Sequence, residues 1–411
     1  MKRSFGSCLK TLRLDGIVLA VLALSMLVPA IAVSRSAHAE ETPAYASWFR
    51  YGSELRGSWR FSEVDGDPYQ VTIQRDGGLA RGKNHKIFVI YPRPSSAYDI
   101  AITRILETFA EKNIRADFAV FNFRKNDARG REALRMAEEG GYELIFSMGS
   151  ESTAWLYRNY FGGALPVVSV TSKDPVVLGQ AAAYDTGSGS NFAFTSLNMP
   201  IEAQMSYVLD LKPRLKNIGI LVDSKNVSAV QTQAAPMVEF ARQRGIRALD
   251  LAVRDPANAR EELAILVSDA VKAMRKNDPG LENSVFWITG STSVFREIAT
   301  INKYADRVPV LSVVPEVVRS GADSAVLSVG ISFQSNAHLA AIYGAEVLSG
   351  EVAVGELPVG VVSPPDIAIN FLKAREIGLK IPFGFIESAS FIYDYDGRQV
   401  RDNGKAMIVG N

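Results

Sequence analysis

Short apolar runs alternate with amphipathic stretches along most of this chain. From Lys86 the runs KIFVIY, ADFAVF, ELIFSM and PVVSV are each four to six residues long, separated by helically spaced segments over 99–112, over 128–139 and from Ser152. Near-continuous apolar runs of that length, joined by crossovers of about twelve residues, predict parallel strands with helices packed on both faces. A Gly-rich passage, DTGSGSNFAF, leads into a second round: NIGILV, a helix over 227–244, IRALDLAV, a helix over 259–276, VFWIT, a helix over 294–304, and PVLSV. The order of elements is the same in both rounds, so the unit of repetition is a whole α/β lobe, not a short solenoid repeat.

Two stretches make the duplication plain: ELIFSMGSESTAWLYRNYFGGALPVVSV and SVFWITGSTSVFREIATINKYADRVPVLSV. Each reads as a buried strand, a Gly-Ser turn opening a helix, and a second strand that begins at a proline, Pro166 or Pro309. Open α/β lobes offer ligands the carboxyl ends of their strands, so two facing lobes imply a cleft for a small molecule. Beyond the second round come AVLSVGISF, the helix HLAAIYGAEVLSG, the link ELPVGVVSPP, the strand DIAINF with a short helix KAREIGL, and a tail whose ASFIYDYDGRQV suits one more strand pair. Residues 40–84 do not follow the repeat. WRFSEVDGDPYQVTIQR alternates like a hairpin around Asp65-Gly66-Asp67-Pro68. With its many aromatics, this segment reads as an ordered extension packed on the first lobe or as a docking site for a partner. The Asp65-x-Asp67 pair lacks the ligand spacing of a calcium loop.

A length of 411 residues suits two domains. The first 39 carry Lys2, Arg3, Lys10 and Arg13, then IVLAVLALSMLVPAIAV and Ala37-His38-Ala39, the pattern of a secretory leader cleaved after Ala39. That leader holds five of the 45 Lys/Arg and one of the 44 Asp/Glu, which leaves 40 basic and 43 acidic residues, a net charge near −3. Such a balance favours neither nucleic acid nor an anionic membrane. Cys8 lies ahead of the apolar run and leaves with the leader, so the exported chain has no thiol. Only His85 and His338 remain, too few for a histidine-rich metal site. A racemase on a two-lobed fold needs paired cysteines, and a dinucleotide enzyme needs the G-x-G-x-x-G or Walker sequences that the chain lacks. The composition points to binding without chemistry and without a cofactor.

With these elements in view, the chain resembles the substrate-binding components of ABC importers, in particular the tryptophan/aromatic amino-acid type with the type I periplasmic binding protein fold. The resemblance covers about 86–382. It rests on the Gly-Ser turn at Ser147 to Ser150, Asp174-Pro175 after PVVSV, Ser190-Asn191, NIGILV, AAIYGAEVLSGE followed by LPV, and IAINFLKAREIGLKIP. It implies two open parallel-sheet lobes joined by a three-segment hinge: lobe I over 85–198 and about 333–358, lobe II over 199–332 and about 359–380, and a tail over 381–411. The crossings fall near 196–200, 332–334 and 357–364. It further implies a periplasmic monomer that closes on a small polar or aromatic, amino-acid-like metabolite and delivers it to a permease and its ATPase. The alternative is a ligand sensor reporting to a membrane receptor or histidine kinase.

Candidate ligand contacts follow from the strand ends. Gly149-Ser150 and Gly290-Ser291 open helices, where unpaired N–H groups favour an anionic oxygen, although both serines suit a plain capping role. Asp174 either meets a ligand ammonium or caps the next helix, with Ser172 beside it. In the first loop, YPRPSSAYDI, Ser96 and Tyr98 are in reach of a ligand, Tyr98 with an aromatic face and a hydroxyl. Ser196 lies at the first crossing. Lobe II departs from the family pattern with Thr289-Gly290-Ser291, with Val314-Pro315-Glu316 and with Asp223-Ser224. Glu316 and Asp223 are therefore candidates for an amine, and tryptophan itself does not carry over. Trp155 and Trp287 read as core residues.

Overall fold

The computed structural model describes residues 42–76 and 83–407, and the predicted leader lies outside them. Two short 3-10 turns precede an antiparallel hairpin of β1 (Trp59–Val64) and β2 (Asp67–Arg75), which reverses where Gly66 takes φ +81°. The first α/β round is β3 (His85–Tyr91), α1 (Ser96–Glu111), β4 (Ala116–Asn122), α2 (Asp127–Glu139), β5 (Leu144–Met148), α3 (Gly149–Tyr160), β6 (Val167–Val170) and β7 (Phe192–Ala193). Its strands line up as β1-β2-β4-β3-β5-β6-β7, parallel from β4 onward, with β2 antiparallel on the edge of β4. Ile87, Val89 and Tyr91 pack on one face of the sheet and Phe88 and Ile90 on the other, which is why β3 reads as an unbroken apolar run. The extension belongs to this core: Trp48, Phe49 and Trp59 are buried, Trp48 edge-on to Tyr91 at 5.8 Å and Trp59 edge-on to Phe118 at 5.8 Å.

After β8 (Thr195–Ser196) and α4 (Ile201–Leu211), the second round runs β9 (Asn217–Asp223), α5 (Val227–Ala229), α6 (Ala235–Gln243), β10 (Arg247–Val253), α7 (Ala259–Met274), β11 (Ser284–Ile288), α8 (Thr292–Phe295), α9 (Ile298–Tyr304), β12 (Val310–Ser312) and β13 (Leu327–Gly330). The chain then forms α10 (Phe333–Ser349), β14 (Gly360–Val361), β15 (Asp366–Asn370), α11 (Phe371–Ile377), α12 (Phe383–Ser388), β16 (Phe391–Tyr393), β17 (Gln399–Asp402) and β18 (Lys405–Ala406). The second sheet has the order β10-β9-β11-β12-β13-β15-β16-β17-β18. Its first five strands repeat the parallel order of the first lobe, and the later ones extend its edge.

Several helices depart from the sequence pattern. The segment predicted as one helix over 227–244 contains a π turn at Val230–Ala234 between α5 and α6, where the Asn198 amide donates to Thr232 O at 3.0 Å. The predicted helix over 294–304 is broken between α8 and α9. α10 starts five residues earlier than its apolar pattern, because the Ser332 hydroxyl caps it by accepting from Ser335 N at 2.9 Å. α10 packs along α1, where Thr108 Oγ1 lies 3.0 Å from His338 Nδ1.

Where the chain passes between the sheets, β8 pairs in parallel with β14. The wholly buried Asn336 ties this region together: its Oδ1 accepts from Thr171 N at 2.7 Å and Thr195 Oγ1 at 3.2 Å, and its Nδ2 donates to Ser196 O at 3.2 Å. Asn336→Ala removes the side-chain partner of the buried Thr171 N and Ser196 O, while Thr195 Oγ1 keeps its 2.7 Å bond to Ser169 O, and should destabilise the protein by about 1–3 kcal/mol. A urea unfolding midpoint equal to that of the parent would show that these bonds carry no stability.

Candidate functional site

In each sheet the strand order reverses beside the first strand of the round, β4-β3-β5 in one and β10-β9-β11 in the other. Helices leave such a point in opposite directions and open a crevice at the carboxyl ends. Residues following β3, β5 and β6 meet residues following β9, β11 and β12 across one cleft with about 610 Å³ of free space, part of it open to solvent. A concave lining shared by the strand ends of two α/β lobes is where small molecules bind. Tyr98 and Phe333 give it aromatic walls, with Leu197, Val313 and Ile331 between.

Gly149 begins α3 at φ +79°, and a Cβ there would sit 2.1 Å from the Tyr98 hydroxyl. Both the backbone conformation and the approach of Tyr98 to the helix N-terminus require glycine. The loop after β6 is held with comparable precision. Thr171 N donates to Asn336 Oδ1, Lys173 N to Ser150 Oγ at 2.9 Å, and Asp174 N to Asn198 Oδ1 at 3.1 Å. These bonds keep Thr171 at φ +50°, a left-handed conformation unfavourable for a β-branched residue. Its hydroxyl is buried with no partner among the described residues.

Lys173 is the most unusual side chain in the cleft. It is 7% exposed, and its Nζ crosses from the first lobe's loop to Gly290 O at 3.3 Å, the one hydrogen bond of its ammonium among the described residues. Burial, reinforced by the Arg93 charge, pulls its pKa down from the ordinary 10.5 to about 8. On the facing wall Gln233, placed by the π turn, accepts from Gly290 N at 2.8 Å through Oε1. At the mouth, Glu151 accepts from Arg93 Nε at 2.6 Å and pairs with Lys125; burial works against its charge, but the two cations hold its carboxyl below the usual range.

Of the residues expected from sequence, Tyr98, Gly149, Ser150 and Gly290 line the inner cleft. Asp223 lines only the outer mouth, where Oδ2 accepts from Ser293 Oγ at 2.7 Å and Oδ1 from Lys225 N at 2.9 Å. Ser96 is exposed beside the lining residues Ser95 and Ala97. Ser172 is buried and its carbonyl accepts from Leu197 N. Asp174 takes the capping role: its carboxylate accepts from Val176 N, Val177 N and the Tyr184 hydroxyl. The Ser196 hydroxyl accepts from Asn198 N, and that of Ser291 from Asp223 N. Glu316 lies behind the cleft wall, its Oε1 accepting from Phe333 N at 2.6 Å. Trp155 and Trp287 are core residues, as expected. The sequence reading missed Arg93, Glu151, Thr171, Lys173 and Gln233. The signal for Lys173 was there, a lysine set between a buried strand and Asp-Pro.

The model of the family described as ABC transporter substrate binding protein matches residues 86–390, and the chain belongs to that family, whose members bind substrates and are not enzymes. A curated relative, the tyrosine-binding protein of Clostridioides difficile (strain R20291), is 23% identical over 239 residues, which is 57% of this chain and 63% of the relative's length. The chain thus spans less than two thirds of that relative. A conserved domain protein from Vibrio cholerae O1 biovar El Tor superposes with a TM-score of 0.60 at 19% identity, covering 75% of this chain and 100% of its own. An ABC domain from Streptococcus pneumonia in complex with L-Trp gives 0.58 at 19%, with the same coverage. These likenesses establish the two-lobed type I periplasmic binding protein fold.

Two pH effects follow from the buried charges. The Lys173 ammonium titrates near 8 when folded and near 10.5 when unfolded, so the unfolded chain binds more protons between those values and stability rises with pH across that window. Lys173→Met removes the desolvated charge and should raise the melting temperature of the ligand-free protein at pH 7 by several degrees; a lower one would show that the Gly290 contact outweighs desolvation. Burial, with Asp366 nearby, pushes the Glu316 carboxyl up to about 7, and its Oε2 has no partner among the described residues. Its contribution is therefore fully present below about pH 4.5 and lost as pH rises through 7. Glu316→Gln keeps an acceptor for Phe333 N and should flatten the fall in urea midpoint between pH 5 and 8, whereas an unchanged slope would assign the fall elsewhere.

Proposed function

We propose that this chain is the periplasmic solute-binding component of an ABC importer, which captures a small, amino-acid-like metabolite between its lobes and delivers it to a permease. The observation that carries the reading is the composition of the cleft: both lobes contribute to one lining, and Lys173 of the first reaches Gly290 of the second. A ligand held there contacts both lobes and so favours their closed arrangement. The Tyr98 and Phe333 walls suit a flat or branched apolar body. Family membership supports the transport role, and the tyrosine-binding relative and the L-Trp complex support the amino-acid-like skeleton. The aromatic extension, the feature that would favour a sensing role, has Trp48, Phe49 and Trp59 in the first lobe's core, so we adopt transport.

The test is a thermal-shift screen of the protein after unfolding and refolding to strip carried-over ligand, against amino acids, aromatic acids, short peptides, sugars and purines. A ligand at a hundredfold its Kd stabilises by about 2.7 kcal/mol, a shift of several degrees. A hit among amino acids or aromatic acids is expected. A folded protein that responds to nothing in the panel would overturn the solute-binding role.

A further inference from the structure

The hydrogen-bonding groups of the inner cleft are unequally committed. Its amide oxygens are in use: Gln233 Oε1 accepts from Gly290 N at 2.8 Å, and Asn226 Oδ1 accepts from Ser228 Oγ at 3.0 Å and Ala229 N at 3.3 Å. Because a backbone N–H can only donate, the Gly290 contact fixes which end of the Gln233 amide is oxygen and turns its NH₂ away from that bond. The one acid in the lining, Glu151, is held by Arg93 and Lys125. The donors are less committed. An ammonium has three N–H groups, and Lys173 places one of them, at 3.3 Å, on Gly290 O. Ser150 Oγ accepts from Lys173 N, which leaves its O–H to donate, and the Thr171 hydroxyl has no partner among the described residues although the residue is 5% exposed. The N-terminus of α3 opens at Gly149 on the same wall.

A buried cation with spare donors, an adjacent helix N-terminus and no uncommitted carboxylate recognise one kind of head group. We propose that the cleft selects a carboxylate that carries no ammonium group, a 2-oxo acid or simple carboxylic acid with an amino-acid-like apolar body, and that Lys173 is its anchor. This rests on the solute-binding role proposed above and narrows its ligand class. A zwitterionic amino acid presents the same carboxylate, but its ammonium meets Lys173 and Arg93 with no free acid to offset them. The like charges disfavour it.

Isothermal titration of the stripped protein at pH 7 decides the matter. The probes are phenyl, indolyl and isopropyl skeletons, each as the 2-oxo acid, the acid lacking the amine, the L-amino acid and the amine lacking the carboxylate. For the best skeleton, the two ammonium-free acids should bind about tenfold or more tighter than the amino acid, and the amine should not bind. Lys173→Met should weaken the acids by about thirtyfold or more, with Lys173→Gln, which keeps a donor without charge, also weakened; both variants are checked for folding by their melting curves. Parent affinity for the acids should fall as pH rises through about 8. An amino acid that binds as tightly as its oxo acid, or acids that bind Lys173→Gln as tightly as the parent, overturns the proposal. If every carboxylate fails while another solute from the wider panel binds, the transport role stands and this assignment falls. If nothing binds, both fall.

Discussion

A parallel sheet covered by helices on both faces leaves its carboxyl edge as the place where side chains meet a ligand, and the whole molecule is arranged around that constraint. Each lobe spends its strand interiors on packing: Ile87 to Tyr91 in β3 and Ile218 to Val222 in β9 are buried almost without exception, with Gly219 the small residue among them. What is left for recognition is the few residues past each strand end, and Tyr98, Gly149, Lys173, Gln233 and Gly290 all lie in such positions. Two sheets set edge to edge turn these separate loops into one lining. Added strands extend both sheets, β1 and β2 beyond β4 in one lobe and the β16–β18 run beyond β15 in the other.

The loop after β6 shows how such a lining is kept rigid. A short loop has backbone N–H groups and no ladder to receive them. Here Asn336, Ser150 and Asn198 supply acceptors from α10, from α3 and from the crossing segment. Their combined hold is strong enough to keep Thr171 in a conformation that costs a β-branched residue about 1–3 kcal/mol. Strain of that kind persists where surrounding bonds over-determine the backbone. Asn198 also donates to Thr232 on the second lobe's π turn, so the bonds that shape the cleft also join the two lobes. Separation of the lobes has to break the Lys173–Gly290 contact and alter that junction.

The duplicated lobes, their parallel strands and the strand character of the extension were readable because apolar periodicity records burial, and burial decides these elements. The π turn was not, since Thr232 leaves the α pattern in response to Asn198, thirty-four positions away. The early start of α10 is a cap at Ser332, a polar signal outside the apolar pattern. At the site, Gly149 and Ser150 were legible as a helix opening, and Tyr98 as an aromatic at a strand end. Asp174 was ambiguous between ligand and cap, and only the placement of Val176 N, Val177 N and Tyr184 gives it the cap. Lys173 went unread for a different reason: its place between a buried strand and Asp-Pro was a signal, but lysine is ordinarily solvent-exposed, and its burial depends on the second lobe lying over it.

That lysine is where stability and recognition diverge. Moving an ammonium out of water is costly, and a single 3.3 Å bond to Gly290 O does not replace its hydration. An apolar side chain of similar length would fill the same space without that cost. The polar groups around it do not behave as a structural salt bridge either, because the one acid in the lining is held by Arg93 and Lys125. A buried charge whose one nearby acid, Glu151, is already paired with Arg93 and Lys125, on a wall shaped by a helix N-terminus, is incomplete as a structural element. It becomes complete when an anion occupies the cleft, since the attraction then grows in the same low-dielectric surroundings that penalise the free cation. The desolvation spent in folding is thereby recovered on binding, which concentrates the affinity of the cleft on the charge of its ligand.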